Sequence, residues 1–526
     1  TFHEGRLYMG GAKSLVNTLW GSKVGQFYEF FPTENLADDS IAAQLDTDQV
    51  NPIVALRSGR DLQIFTDSAE FFVPQADLDP ITPTNIVVKS SSRRGMKHGI
   101  RPAASESGTL FIQRSGRALR EFSFSDSELS YVSTNISLLS SHLIINPQDM
   151  TLRPSSSTDE GDLLLIVNGT ATADTRGISA ELQGSIVAYT LLRAQNVVAP
   201  ARWITDGTFL NVAADVDDVY VIVKRDLPLQ ATCTITVTDY TNIATDETIT
   251  LITNDGTSVV FTCQGAGSGT PDTDKFFHNE SNDTTADNIY TAINLHDDFT
   301  AANPADNVVT VTRVLRGNDN LTVTSSDNTR LAAINFTGGG DAKYYVEVFD
   351  EDRTTDSSIQ YYSGAASPDV ALPSNTTAGS LSHLEGFVLD VIADDIVEAD
   401  KTVASGNITL DSVPATYVEA GLPYSVEVIT MPFEAKLPSG NVQGQRRRII
   451  EATPFLYQSQ NLAINGWEIP FRQLPVTLGS GPVTYTGEKR IMPLLGYSRT
   501  SQLTITQTQP LFFTMLGLEY KVSLSQ

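Results

Sequence analysis

The stretch RLYMGGAKSLVNTLWGSKVGQFYEFFP, residues 6–32, decides the fold. Its aromatic and branched side chains alternate with small or polar ones, as they do in a half-buried β-strand. This alternation predicts a strand at Arg6–Gly10, a second through Trp20 and a third at Phe27–Phe31. The beginning of the chain therefore indicates β-structure.

The same pattern of alternating strands recurs about every 50 residues, the repeat length of a four-stranded propeller blade. The recurring strands are Leu62–Thr66 with Glu70–Val73, Leu110–Arg114 with Ala118–Phe124, Leu163–Val167 with Ser185–Leu192, and Val219–Lys224. Single blades cannot bury both faces and must stack on one another. The sequence thus predicts an all-β fold with a β-propeller-like platform. An irregular all-β protein with unrelated hairpins is the alternative.

Composition divides the chain further. We expect four segments: 1–228 as the first part of the propeller-like β domain, 229–341 as an inserted β-sandwich-like domain with one short helix, 342–380 as the continued propeller-like domain, and 381–526 as a C-terminal β domain. The insert is rich in Thr, Asp and Asn, and its flanks VYVIVK and YYVEVF complete one hairpin without it. Pro368–Gly379 is expected to be a linker.

Local patterns predict finer details. The clearest blade is expected within residues 163–225, with strands at 163–168, 185–192, 208–213 and 219–224. Ser125–Glu128 matches a helix capping box, which predicts a short helix that ends near His142, itself expected to be a hydrogen-bonded core residue. Within the insert, Asn254–Gly256 predicts a hairpin turn and Ala286–Phe299 a helix.

The charge balance limits the classes of partner. The chain has 526 residues, and its 62 acidic against 35 basic residues give a formal charge of −27. Tight wrapping of nucleic acid through phosphate neutralisation is not expected of such a chain. It has no apolar run long enough for a membrane span and no signal-peptide pattern, and because Thr1 replaces an initiator Met we expect the genetic start to lie elsewhere. Cys233 and Cys263 could pair, but two buried free thiols are favoured.

Motifs for chemistry are missing from the sequence. It contains no G-x-S-x-G elbow, H-E-x-x-H pair, P-loop or dinucleotide fingerprint, so no catalytic, cofactor-binding or metal-ligating residue and no cofactor is predicted. Asp215–Asp218 and Asp350–Asp352 could gather calcium, but neither has the spacing of a calcium loop, and acidic turns are favoured. Arg93, Arg94 and Lys97, like Arg446–Arg448, could bind phosphate; solvated or subunit-facing charges are favoured.

Several motifs in order resemble the tail nozzle, or tail tubular, proteins of short-tailed bacteriophages. The motifs are FHEGRLYMGG (Phe2–Gly11), TLWGSKVGQFYEF (Thr18–Phe30), DTDQVNPI (Asp46–Ile53), GRDLQIFTDSAEFFV (Gly59–Val73), ALREFSFSDSELSYVSTNISLLSSHL (Ala118–Leu143), ITDGTFLNVA (Ile204–Ala213), HLEG (His383–Gly386), GLPY (Gly421–Tyr424) and PLFFTMLGL (Pro510–Leu518). The resemblance covers most of the chain except the insert. VVAPARW (Val197–Trp203) departs from the AWHRH-like run of the family, and the family's N-terminal extension is missing.

The resemblance implies a structural protein without enzymatic activity. It implies a homo-oligomeric ring, usually of six copies, that hangs below the portal and the tail adaptor ring in the virion tail, contacts tail fibres and is assembled in the host cytoplasm. Genomic DNA would pass through its lumen without sequence-specific binding. A conduit must not hold DNA, so we expect acidic residues along the channel wall and Arg93, Arg94 and Lys97 at subunit contacts or outside.

A virion-associated glycan-binding or glycan-hydrolysing propeller is the alternative function. A hydrolase needs convergent carboxylates in a cleft lined by exposed aromatic side chains. Trp20, Trp203 and Trp467 are the three tryptophans that could serve as platforms, and two of them lie in strands that the pattern places in the core.

Deleting the insert tests its independence from the platform. We expect that a chain in which an Asn-Gly turn replaces residues 229–341 still folds and assembles like the full chain, because such a turn restores an ordinary hairpin. Circular dichroism and size-exclusion chromatography of both chains check this. Loss of soluble, assembled protein on deletion would show that the insert belongs to the structural core.

Overall fold

The structure is a computed structural model of the chain. It describes residues 1–524 except 34–35, 46–49, 75–79, 156–159, 171–181, 193–194, 196, 227–229, 253–257, 268, 315–320, 340–341, 364–369, 372–376, 412–415, 434–435, 438–439, 442–444, 472–480, 493–495 and 508. The turn predicted at Asn254–Gly256 lies outside the described residues, and so does most of the linker predicted at Pro368–Gly379.

The fold is all-β, as predicted, and the chain divides into two compact units. The first unit comprises Thr1–Arg225 and Tyr344–Asp350, and the second comprises Asp226–Lys343 and Glu351–Gln526. Among the described residues, no helix has both the length and the apolar character that a membrane crossing requires.

The first unit consists of five successive sheets with the strand order of propeller blades. Their strands are β1 Phe2–His3, β2 Arg6–Gly10, β3 Thr18–Gly21 and β4 Ile41–Gln44; β5 Ile53–Ser58, β6 Leu62–Thr66, β7 Glu70–Val73 and β8 Lys89–Ser92; β9 Ala103–Ser105, β10 Gly108–Ile112, β11 Leu119–Ser125 and β12 Ser130–Asn135; β13 Pro147–Arg153, β14 Asp162–Asn168, β15 Ile186–Leu192 and β16 Val197–Trp203; and β17 Thr208–Asp215, β18 Asp218–Arg225 and β27 Lys343–Phe349. Sequential neighbours pair within each of the four four-stranded sheets.

Shared cores join consecutive sheets of this unit. Leu62 and Ile64 of the second sheet pack with Tyr8 of the first, whereas Phe65, which faces the other way, packs with Phe111 of the third. Two further clusters join the third sheet to the fourth and the fourth to the fifth in the same manner. Alternate side chains of one strand therefore enter two different cores, which is why the central strands are buried on both faces.

The boundaries of the blade predicted at 163–225 are wrong. β13 and β16 are the edge strands of the fourth sheet, whereas β17 and β18 belong to the fifth. Both edge strands contain a proline, Pro147 or Pro200, and β16 is largely exposed. Proline cannot donate to a ladder but is tolerated at a sheet edge, so these two strands lack the usual signature of a strand.

Three further local predictions are wrong. Residues 125–139 form no helix: Glu128 and Leu129 lie in a turn, and β12 pairs with β11. Phe27–Phe31 is not a strand, because a tight turn at Gly25, whose φ is 71°, interrupts the alternation. His142 is exposed in a 3₁₀ turn at Ser141–Leu143 and is not a core residue.

The chain between β18 and β27 folds as two four-stranded sheets and a helix. The strands are β19 Ala231–Val237, β23 Phe299–Ala305, β24 Val308–Arg313 and β26 Leu331–Gly338 in one sheet, and β20 Thr248–Ile252, β21 Ser258–Ala266, β22 Lys275–His278 and β25 Thr322–Ser325 in the other. Helix α1, Asn282–Asn294, begins before the predicted position because the Ser281 side chain accepts a hydrogen bond from the Thr284 amide. Ile289 and Ile293 of α1 enter the core that both sheets share.

β27 neighbours β18 in the fifth sheet, and a buried ion pair fixes this junction. Arg225 donates from Nε and Nη2 to the two carboxylate oxygens of Glu347 at 2.8 and 2.7 Å. Its Nη1 donates to Thr205 Oγ1 and to the Asp206 carbonyl. Bidentate pairs of this kind fix geometry as well as contributing energy.

The remaining strands form the C-terminal part of the second unit. They are β28 Asp356–Tyr362, β29 Val370–Ala371, β31 Val388–Ala393, β32 Ile396–Val397, β33 Lys401–Thr402 and β35 Tyr417–Leu422 in one sheet; β30 Thr377–Ala378 with β34 Ile408–Thr409; β36 Val426–Ile429, β40 Ala463–Ile464, β41 Trp467–Glu468 and β43 Thr504–Gln507; β37 Lys436–Leu437 with β38 Gly440–Asn441; and β39 Arg447–Ser459, β42 Tyr485–Glu488 and β44 Thr514–Leu524.

The structure differs from the prediction that 342–380 continues the propeller-like domain. Of the strands described in this range, only β27 joins a sheet of the first unit, whereas β28 pairs with β35. The cause is Glu419, a buried carboxylate on β35 that accepts hydrogen bonds from the amides and hydroxyls of Thr354 and Thr355. Gln360 and Tyr417 donate to its other oxygen. Partners some 65 residues apart leave no local sequence pattern.

Asp390 makes the stability of this part of the chain depend on pH. Burial, reinforced by the nearby Asp400 carboxylate, raises the pKa of Asp390 from 3.8 to about 6. The folded state therefore holds this proton more tightly than the unfolded state, and the associated stability is lost as pH rises from about 4 to about 6.

We expect Asp390→Asn to raise the melting temperature at pH 7.5 and to raise it only about half as much at pH 5, because pH 5 lies midway in the range over which the stability is lost. The gain should be about 1 kcal/mol, since the site is only half-buried and water screens part of the repulsion. Differential scanning calorimetry at both pH values measures it, with Asp395→Asn in the neighbouring exposed turn as the matched control. An equal shift at both pH values would contradict this account.

Candidate assembly surface

The first strand within residues 6–32, β2, carries a buried arginine. Arg6 lies on β2, two residues before the buried Tyr8, so both side chains point to the same face. Its guanidinium donates to the carbonyl oxygens of Ser22, Ala37 and Asp39 at 2.7, 2.7 and 2.5 Å. Three carbonyls from two separate turns of chain are thereby held around one planar cation.

These contacts fix the base of the connection between β3 and β4. Within it, residues Lys23–Phe31 form what we call the aromatic loop. The amide of Lys23 donates to the Glu29 carbonyl at 2.9 Å, and that of Val24 donates to the Asp38 carbonyl at 3.0 Å. The amide of Gly25 donates to the Gly5 carbonyl at 3.0 Å, which ties the loop to the turn before β2. Hydrogen bonds therefore anchor the beginning of the loop to neighbouring segments, and the bond from Lys23 to Glu29 closes it on itself.

The aromatic loop points large apolar side chains into solvent. Tyr28 and Phe31 are 94% and 81% exposed, and Phe27 is partly exposed. The Phe2 ring packs edge-on against Phe27 with 5.1 Å between ring centroids. Side chains of this type, held by a rigid loop, bind a protein partner with little further loss of conformational entropy. The loop thus has the properties of an assembly surface.

The sequence pattern did not predict this surface. The alternation around Phe27–Phe31 is typical of a buried strand, and one glycine turn suffices to expose the same residues. A usable signal was present in Arg6: it occupies a core-facing position of a strand, where arginine is rare unless it is bonded. Such an arginine indicates a loop whose carbonyls need a donor.

Residues 89–102, which contain the basic residues Arg93, Arg94 and Lys97, are tethered to the first unit by hydrogen bonds. Arg93 and Arg94 are exposed, and Lys97 Nζ donates to Asn146 Oδ1 at 3.1 Å. The buried Glu70 carboxylate accepts hydrogen bonds from Ser92 Oγ and the Arg94 amide, and burial raises its pKa. The exposure of Arg93 and Arg94 is in line with solvated charges, whereas Lys97 is only partly exposed.

The prediction for Arg446–Arg448 is wrong for its central residue. Arg447 is buried and donates to the carbonyls of Phe433 and Arg499. Arg446 is exposed and Arg448 is partly exposed. Alternation along β39 explains the difference, because the middle arginine of three must face the core when its neighbours face solvent.

In the described part of the chain, the acidic residues form no metal site and the two cysteines form no disulfide. Asp215 and Asp218 lie opposite each other where β17 turns into β18, so this stretch is an acidic turn between two strands. No group of three or more His, Cys, Asp or Glu side chains among the described residues could hold a metal ion. Cys233 and Cys263 are both free and buried, and burial raises the pKa of Cys233 to about 12.

The second unit contains a groove of about 440 Å³. It is lined by polar and aromatic side chains that include Gln460, Asn461, Glu468, Phe471 and Gln509. Glycoside hydrolysis needs two carboxylates. Among the described residues, the lining of this groove supplies one, Glu468. Of the three tryptophans, Trp467 is 63% exposed, whereas Trp20 and Trp203 are partly buried.

Comparisons with known proteins give no family. No protein-family model matches the sequence, and no curated protein matches it either. Among solved structures, a luciferin-regenerating enzyme is similar over 42% of this chain and 83% of its own, with 13% identity and a TM-score of 0.18. An exo-beta-1,3-galactanase from Phanerochaete chrysosporium, solved with galactose, covers 99% of this chain and 96% of its own, with 6% identity and a TM-score of 0.21. Similarity this low carries no argument about function.

Removing the Arg6 guanidinium should loosen the aromatic loop. We expect Arg6→Met to destabilise the first unit by about 3 kcal/mol, because three carbonyls lose a charged donor. Chymotrypsin, which cleaves after aromatic residues that no proline follows, should then cut after Phe27 and Tyr28 much faster than in the unmodified chain. Lys13→Met, which removes an exposed cation nearby, is the control. Equal cleavage rates in Arg6→Met and the unmodified chain would show that Arg6 does not hold the loop.

Proposed function

We propose that the chain is a structural, non-enzymatic subunit of the tail nozzle of a short-tailed bacteriophage. In this role several copies, six in the usual arrangement of that family, form a ring around a DNA exit channel below the portal and adaptor. The ring would belong to the virion tail, be assembled in the host cytoplasm, contact tail fibres and let DNA pass without sequence-specific binding.

The aromatic loop is the observation that supports this proposal most directly. Two of the motifs that carry the resemblance, FHEGRLYMGG and TLWGSKVGQFYEF, contain Phe2, Arg6, Phe27 and Tyr28, the residues that build and anchor the loop. Residues of a family motif that are exposed and apolar favour binding over packing as the reason for the motif. A subunit whose function is assembly needs such a surface.

The chain's charge is compatible with a conduit. A protein with a formal charge of −27 repels a duplex that passes close to it, whereas a basic wall would retain the duplex through counterion release. Arg93 and Arg94, exposed at the surface of the first unit, would in this proposal lie at subunit contacts or on the outside of the ring.

A glycan-binding or glycan-hydrolysing protein remains the alternative. The groove with Glu468 and the exposed Trp467 are the features that would have to serve it. The described lining of that groove holds one carboxylate, Glu468, which favours binding over hydrolysis.

Native mass spectrometry and electron microscopy of the purified chain, alone and with its adaptor protein, test the proposal. We expect a closed ring, of six copies in the arrangement usual for the family, with a central channel. A chain that stays monomeric with its adaptor present would overturn the proposal. Release of reducing ends from bacterial surface polysaccharides by the purified chain would favour the alternative instead.

A further inference from the structure

The fifth sheet of the first unit has one buried and one exposed face. Val219, Val221 and Val223 of β18 enter the core shared with the fourth sheet. Tyr220 and Ile222, which alternate with them, are exposed at the opposite face. The second, third and fourth sheets differ, because each packs into two shared cores, one on either face.

β27 extends this exposed face. Glu347 points inward to its ion pair with Arg225, so Tyr344, Val346 and Val348 point outward. Tyr344 is 65% and Val346 70% exposed, and Val348 is half-exposed. We call Tyr220, Ile222, Tyr344, Val346 and Val348 the outer face of the fifth sheet. The fifth sheet ends at β27 and has three strands among the described residues, whereas each of the four sheets before it has four strands.

We propose that the outer face of the fifth sheet binds the aromatic loop of a second copy of this chain. This inference rests on the proposed function and names the two surfaces through which the copies would meet. A ring requires a heterologous contact, in which one patch of a subunit meets a different patch of the next. The first unit carries two different exposed apolar patches, a protruding aromatic loop and a flat sheet face.

Charge favours a second copy as the occupant. Two chains of formal charge −27 repel each other over most of their surfaces. Both patches are balanced, however: the loop carries Lys23 and Glu29, and the outward positions of β18 carry Asp218 and Lys224. A basic foreign partner would be drawn to the acidic surfaces, whereas a copy meets least repulsion where these neutral apolar patches coincide.

The size of the two patches also fits such a contact. The five apolar side chains of the outer face offer roughly 500 Å² at these exposures, and the exposed rings of the aromatic loop offer a similar area, against the ≈ 800 Å² per partner that a standard protein interface buries in total. Each patch can therefore supply the apolar centre of an interface, and polar neighbours would supply its rim.

Cysteine cross-linking tests the pairing in the full chain. The variant Tyr28→Cys with Val346→Cys carries one new thiol on each patch, and the native Cys233 and Cys263 are buried. A short bismaleimide should convert this double variant into a ladder of covalent multimers. The initial cross-linking rate should exceed that of Leu139→Cys with Val346→Cys by on the order of a thousandfold, because an interface raises the effective thiol concentration from micromolar to millimolar. Leu139 is as exposed as Tyr28 and belongs to neither patch.

The outcomes separate this inference from the proposed function. Rings without a ladder would overturn the pairing and leave the nozzle proposal standing. Dimers from Tyr28→Cys alone or Val346→Cys alone would also overturn it, since they indicate like patches in contact. A chain that stays monomeric would overturn both. Should the first variant assemble poorly, Phe31→Cys with Tyr344→Cys gives the same readout from neighbouring positions.

Discussion

A sheet with two apolar faces is stable only when something covers both, and the first unit depends on this constraint. On the short strand β6, Leu62 and Ile64 pack into one core and Phe65 packs into another. The second sheet therefore requires a neighbour on each side. The same holds for the third and fourth sheets. Their stability is therefore collective, because removing one sheet would expose the apolar faces of its neighbours. No described core cluster joins the fifth sheet to the first.

Buried arginines bonded to carbonyls are the second recurring feature. Arg6 and Arg447 each use a guanidinium to hold carbonyls from segments that are distant in sequence. A loop without regular structure leaves carbonyls that must find donors, and one arginine can satisfy several of them. Irregular segments thereby become as well defined as the strands they join. The aromatic loop can present its rings in one arrangement for this reason.

The sequence predicted the all-β fold and most central strands, because their alternation and β-branched residues are local signals. Leu62–Thr66 and Glu70–Val73 have the predicted bounds. The sequence could not predict the edge strands that contain Pro147 and Pro200. Nor could it predict the sheet that Asp356–Tyr362 joins, since Glu419 determines that choice from a distance. The candidate surface was missed for a related reason: whether Tyr28 and Phe31 are inside or outside depends on one turn at Gly25, not on their own pattern.

The two thiols have a consequence for where this fold can exist. Cys233 and Cys263 lie in the core of the segment between β18 and β27, and burial disfavours the thiolate that oxidants and disulfides attack. The two thiols are therefore poor targets for oxidants, and the core around them does not depend on a disulfide that a reducing compartment would break.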